Sequence, residues 1–170
     1  TGTRLGLSGI PEVAETIALA RDLLLVEQTG SQAHFMHLST GRGVDMIRQA
    51  KERGLAVTAN VTAHHLHLTD IGIDGFNSEC HVQPPLRSET DREALRKGVA
   101  DGVVDVVCSD HQPHERDARL NPFSATEPGI SALESLLPLA LSSTYITFPT
   151  GGLEPSSSGL LAAATSSASE

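Results

Sequence analysis

Residues 107–117 read VCSDHQPHERD. The aliphatic run Val103, Val104, Val106, Val107 stops at Ser109, and Asp110, His111 and His114 follow, with Pro113 locking the chain between them. A carboxylate and imidazoles at the end of a buried strand are suitable donors for zinc or a similar ion. A catalytic metal acidifies bound water, and an aspartate beside that water can take its proton and return it to a leaving group. His37, closing the strand-like stretch QAHFMHL (32–38), is a second such donor. Each residue also has a plain structural reading: His37 as a strand-end histidine bonded to backbone, Asp110 as a helix cap or turn residue. Two donors fall short of a catalytic zinc site, which usually takes three or more, and nothing else in the chain clearly supplies the rest.

The other candidates are weaker. His64 and His65 are neighbours, so on an extended backbone they point opposite ways and at most one faces a site. His67 and His81 read as loop histidines. QPPLR (83–87) is a rigid extended turn whose Arg87 pairs with an acid or, as the second choice, holds an anion. EPGIS (127–131) reads as a helix-start turn, with backbone amides offered to a ligand as the alternative. The chain has no GxGxxG, GxxxxGK[ST] or GxSxG, so nucleotide-cradle and serine-hydrolase readings lack their main support.

Elements must bring these residues together. The pattern predicts a helix from Pro11 to about Val26, with Val13, Ile17, Ala20 and Leu24 at helical spacing. A short strand at 32–38 and a helix from Val44 to Arg53 follow, with Val44, Ile47 and Ala50 inward and Gly54 as its stop. LAVTANVT (55–62) is a β-branched strand. After a long loop, SETD (88–91) resembles a capping box opening a helix over 89–100, closed by Asp101-Gly102. VVDVVCS (103–109) is the third strand and ISALESLLPLAL (130–141) a last helix. Strands alternating with helices predict an α/β fold with a parallel sheet buried on both faces. In such folds sites gather at the carboxyl edge of the strands. His37, then His64 and His65, then Asp110, His111 and His114 each follow a strand there.

Composition bounds the function. A net charge of −9 and a pI near 5.3 argue against a general nucleic-acid binder and against attachment to anionic membranes. No apolar run reaches the roughly 18 residues of a spanning helix. Cys80 and Cys108 make no disulfide framework and read as reduced thiols in cytoplasm. Residues 142–170 are rich in Ser, Thr, Ala and Gly, with Glu154 and Glu170 as the only charged side chains, and read as a flexible tail after a domain over 1–141.

Taken in order over residues 4–141, LGLSGIPEVAE, HFMHLST, VTANVTAHHLHLTD, VQPPLRSETDREAL, SDHQPH and PGISALES resemble dihydroorotase of the amidohydrolase superfamily. The resemblance implies a metal-dependent (β/α)8 TIM-type barrel, of which this chain is the C-terminal part, strands six to eight. It implies a zinc-dependent cyclic amidohydrolase of pyrimidine biosynthesis that opens dihydroorotate to carbamoyl-aspartate. His37 matches the ligand histidine ending strand six, and Asp110 the aspartate after strand eight that is both ligand and proton shuttle. His114 matches a substrate-binding histidine. Gln83 stands where a substrate-binding Asn is usual, and Pro128 and Gly129 stand where backbone contacts the pyrimidine ring. The family's His-x-His, its bridging Asp or Lys and its strand-five His lie upstream of Thr1.

The departures are Gln83 for Asn, Gln112 for Ala, Ala63 for Pro, and ERDAR (115–119) after the second histidine. Most fall on the substrate side. That pattern is similar to noncatalytic dihydroorotase-like chains that hold aspartate carbamoyltransferase in a homo- or hetero-oligomeric assembly. The expectation is therefore such a chain, with an active zinc-dependent dihydroorotase as the alternative.

Overall fold

The computed structural model describes residues 2–142, so the Ser/Ala-rich stretch expected as a tail lies outside the described residues from 143 onward. Helix α1, Glu12–Thr29, begins after Pro11 and ends where Gly30, at φ 67°, returns its N–H to Val26. It buries Thr16, Leu19, Leu23 and Val26. The expected stripe lies elsewhere: Val13, Ile17 and Leu24 are 52%, 67% and 65% exposed. Apolar residues flank α1 on more than one side, so periodicity alone does not choose an inward face.

Strand β1, Ala33–Phe35, leads to helix α2, Gly41–Glu52, whose first turn is capped by the Thr40 hydroxyl accepting from the Gly43 N–H at 3.0 Å. Val44, Ile47 and Ala50 are buried in the core as their spacing predicts. Strand β2, Val57–Thr62, helix α3, Glu89–Ala100, and strand β3, Val106–Cys108, follow. Ser88 and Asp91 form the predicted capping box in full. Gly98 lets α3 approach α2 closely: a Cβ there would lie 2.7 Å from Val44 Cγ1. Helix α4, Leu133–Ser142, closes the described part.

The sheet is parallel in the order β1-β2-β3, with Ala33 opposite Val57 and Val61 opposite Val107. Its strands are shorter than the sequence suggests. Val103 and Val104 donate to the Gly98 carbonyl and so finish α3 instead of starting β3. One face, from Phe35, Val57, Ala59 and Val61, packs under the helices with Leu19, Leu23, Val44, Ile47 and Leu95. The expectation of apolar burial on both faces fails. The opposite face carries His34, Thr58 and Asn60, joined by hydrogen bonds, and His34 is exposed. That polar face leads directly to the carboxyl edge.

A candidate metal centre at the carboxyl edge of the sheet

β1 and β3 both end in a left-handed turn on a non-glycine residue: His37 at φ 56° and Asp110 at φ 46°. Such backbone is unfavourable for a side-chain-bearing residue by about 1–3 kcal/mol, and it concentrates at functional positions. The turns lean the two side chains toward each other across the end of the central strand, with His37 Nε2 3.8 Å from Asp110 Oδ1. Asp110 is buried and His37 half-buried. Zinc takes bonds of about 2.0–2.2 Å to such donors, so two tetrahedral ligands stand about 3.4 Å apart. The pair fits one ion with a shift of a few tenths of an ångström. Among the described residues no group of three or more His, Cys, Asp or Glu converges on one point, so the pair is half a site.

Asn60 holds the His37 turn, and nothing in VTANVT signals it. Its Oδ1 accepts the His37 N–H at 2.6 Å, and its backbone carbonyl accepts Leu38 N–H at 3.0 Å. Because only the oxygen can accept, the Asn60 amide must turn its NH2 to His34 Nε2, 3.0 Å away. His34 therefore carries its proton on Nδ1 and donates it to Thr58 Oγ1 at 2.7 Å.

Behind His37, the Glu15 carboxylate ties α1 to the start of α2. It accepts Ser39 N–H and Thr40 N–H, each at 3.2 Å, Thr40 Oγ1 at 2.7 Å, and the Ser39 hydroxyl. Glu15→Ala strands all of these donors and is expected to lower stability by about 3 kcal/mol, read as the urea midpoint of the intact protein. Glu15→Gln, with one acceptor left, should recover part of that loss. Equal stability for all three would show the cluster to be water-satisfied.

Several candidates move. His64 and His65 lie on a 3-10 turn, not an extended strand, and both are buried with rings 4.8 Å apart. His65 accepts from Thr62 Oγ1 at 2.7 Å through Nδ1 and donates to the Pro84 carbonyl at 3.1 Å through Nε2. Both ring nitrogens of His64 are buried without a partner among the described residues. Burial first, then the neighbouring His65 and His37, pushes the His64 pKa down to about 3, and burial pushes His65 down to about 4. His111 turns away from the pair: its Nδ1 accepts the Ala132 and Leu133 N–H groups at 3.1 Å and starts α4. Among the described residues Arg87 pairs with no acid; it donates to Ser39 Oγ at 3.1 Å and to the Ile10 carbonyl.

The residues expected on the substrate side lie in neighbouring loops. His114 Nε2 donates to the Pro128 carbonyl at 3.0 Å. Gly129, at φ 154°, sits so close that a Cβ would be 2.6 Å from the Gln112 carbonyl, so only glycine fits. Its N–H donates to His81 O at 2.7 Å and its carbonyl accepts from Arg119 at 2.5 Å, which joins the loops of Gln83, His114 and Gly129. His114 lines a cavity of about 270 Å³ with Glu79, Arg116 and Arg119, whereas exposed Gln83 lines a separate one of about 210 Å³ with Arg87. Neither cavity is lined by His37 or Asp110.

No protein-family model matches the chain. It is 59% identical over 141 residues to a dihydroorotase-like protein of Pseudomonas aeruginosa, covering 83% of this chain and 33% of that protein. It is 46% identical over 141 residues to a dihydroorotase of Pelobacter propionicus, again covering 83% of this chain and 33% of the relative. The chain belongs to the dihydroorotase family. It spans about a third of the length of the curated relatives it matches. Among solved structures, the L-hydantoinase of Arthrobacter aurescens superposes with a TM-score of 0.74 at 27% identity, over 79% of this chain and 30% of that one. A dihydroorotase from Saccharomyces cerevisiae superposes with a TM-score of 0.69 at 21% identity, over 80% of this chain and 40% of that one, a likeness of fold alone. These neighbours are amidohydrolases, in keeping with the α/β architecture and its parallel sheet. No described helix is long and apolar enough to cross a membrane.

Proposed function

We propose that this chain is the strand-six-to-eight sector of a dihydroorotase-type barrel acting in pyrimidine biosynthesis, and that it contributes two ligands, His37 and Asp110, to a zinc site completed by upstream strands. The observation that carries the reading is the 3.8 Å approach of His37 Nε2 to Asp110 Oδ1 from two left-handed turns at one sheet edge. When bound, such an ion supplies Lewis acidity, polarising the amide carbonyl of dihydroorotate and acidifying water. Asp110 would take a proton at its carboxylate and return it to the departing amide nitrogen, giving carbamoyl-aspartate. His114, with Gln83 and the Pro128–Gly129 backbone, would hold the ring. The test is dihydroorotate hydrolysis by the parent protein with added zinc. Turnover that a chelator abolishes and zinc restores supports the reading.

A second reading has its own observation. Gln83 and Gln112 alter the substrate side, and Gln112 donates to Asp110 itself at 2.8 Å. The relatives at 59% identity are named dihydroorotase-like. On this reading the parent is a noncatalytic, cytoplasmic partner that supports aspartate carbamoyltransferase assembly. A folded parent without hydrolysis that co-purifies with the transcarbamoylase would favour it.

A further inference from the structure

We propose that Gln112 is an internal competitor for the Asp110 carboxylate: its side-chain amide occupies the oxygen that faces His37 and so weakens metal binding by the pair. The inference rests on the reading of His37 and Asp110 as metal ligands. Asp110 Oδ1 is at once the oxygen 3.8 Å from His37 Nε2 and the acceptor of Gln112 Nε2 at 2.8 Å. Facing a carboxylate, only the NH2 end of the amide can sit there, so the side chain's orientation is settled. A hydrogen bond to an ionised acceptor is roughly twice as strong as a neutral one. It also puts the positive end of the amide dipole beside the position a cation would take, where it repels that cation.

The backbone under this contact is fixed. Gln112 N–H donates to the Ile130 carbonyl at 3.0 Å, and Gly129 packs against the Gln112 carbonyl on the other side. The residue itself is exposed, so its side chain can swing into solvent when an ion binds. Gln112 is then a displaceable occupant and not a permanent block. An ion arriving at Asp110 must break a charge-assisted bond that an alanine or methionine at this position would not make.

The experiment is zinc titration of the metal-free parent protein against a chromophoric chelator, beside Gln112→Ala, Gln112→Met and His37→Ala. Methionine keeps the bulk of glutamine and removes the donor. Both Gln112 variants are expected to bind the His37-dependent zinc about tenfold more tightly than the parent, the loss of one charge-assisted hydrogen bond. Equal affinity in all three would overturn the proposal and leave the metal site standing. Weaker binding in the variants would overturn it by showing Gln112 to support its neighbour. Zinc binding indifferent to His37→Ala would overturn both the proposal and the site on which it rests.

Discussion

Asp110→Asn in the parent protein is expected to lower dihydroorotate hydrolysis by about a thousandfold while leaving the fold intact. The substitution is close to isosteric and Asp110 is buried, so packing is preserved. An asparagine oxygen can still accept from Gln112 and meet the His37 side, so the left-handed turn at φ 46° keeps its geometry. Asparagine tolerates that backbone as well as aspartate does. What it cannot do is carry an anionic charge to an ion or shuttle a proton. The loss should therefore fall on kcat and kcat/KM together, as for an interaction made chiefly in the transition state. His114→Ala, which removes the imidazole proposed to hold the ring together with its bond to the Pro128 carbonyl, should instead raise KM. Steady-state kinetics with near-UV CD on each variant checks both. An Asp110→Asn protein within tenfold of the parent would remove Asp110 from the proton-transfer role.

The parts of this molecule written in local sequence are legible, and the parts written in register are not. The limits of α3 follow from Ser88, Asp91 and Asp101-Gly102 because caps satisfy backbone groups within one turn. The inward face of α2 follows from Val44, Ile47 and Ala50 because, Met46 and two glycines apart, the rest of that helix is polar. α1 has apolar residues on more than one side, and the face that packs is chosen by its neighbours. The pairing of His37 with Asp110 is foreseeable only as two donors at one sheet edge; their approach depends on two left-handed turns that no residue type announces. Asn60 reads as an ordinary polar strand position, and its grip on His37 needs the pairing of β1 with β2. Gln112 is visible as an oddity in SDHQPH, but its aim at Asp110 is a side-chain fact.

The buried His64–His65 pair is expected to give the metal-free protein a steep acid limb. About a pH unit or more above 6.5, the ordinary histidine value, both rings are neutral folded and unfolded, and they contribute little pH dependence. Below it the unfolded chain takes up a proton on each ring. The folded protein does not, because burial holds the two pKa values down to about 3 and about 4. The unfolded state then binds more protons, so stability falls as pH falls, by about 1.4 kcal/mol per pH unit for each ring. From pH 7.5 to 5 the pair is expected to remove about 4 kcal/mol, a large share of a typical domain's stability of about 5–15 kcal/mol. His67 and His81, also lowered by burial, act in the same direction. The two rings are separable. Among the described residues His64 has no partner for either nitrogen, so His64→Leu should be neutral or stabilising at pH 7.5 and should remove about half of the acid slope. His65 bonds both Thr62 and Pro84, so His65→Leu should flatten the slope equally but lose stability at every pH. Urea midpoints of the chelator-treated parent and both variants between pH 5 and 7.5 test this. A parent profile that is flat over that range would mean that the rings charge inside the fold and would overturn the prediction.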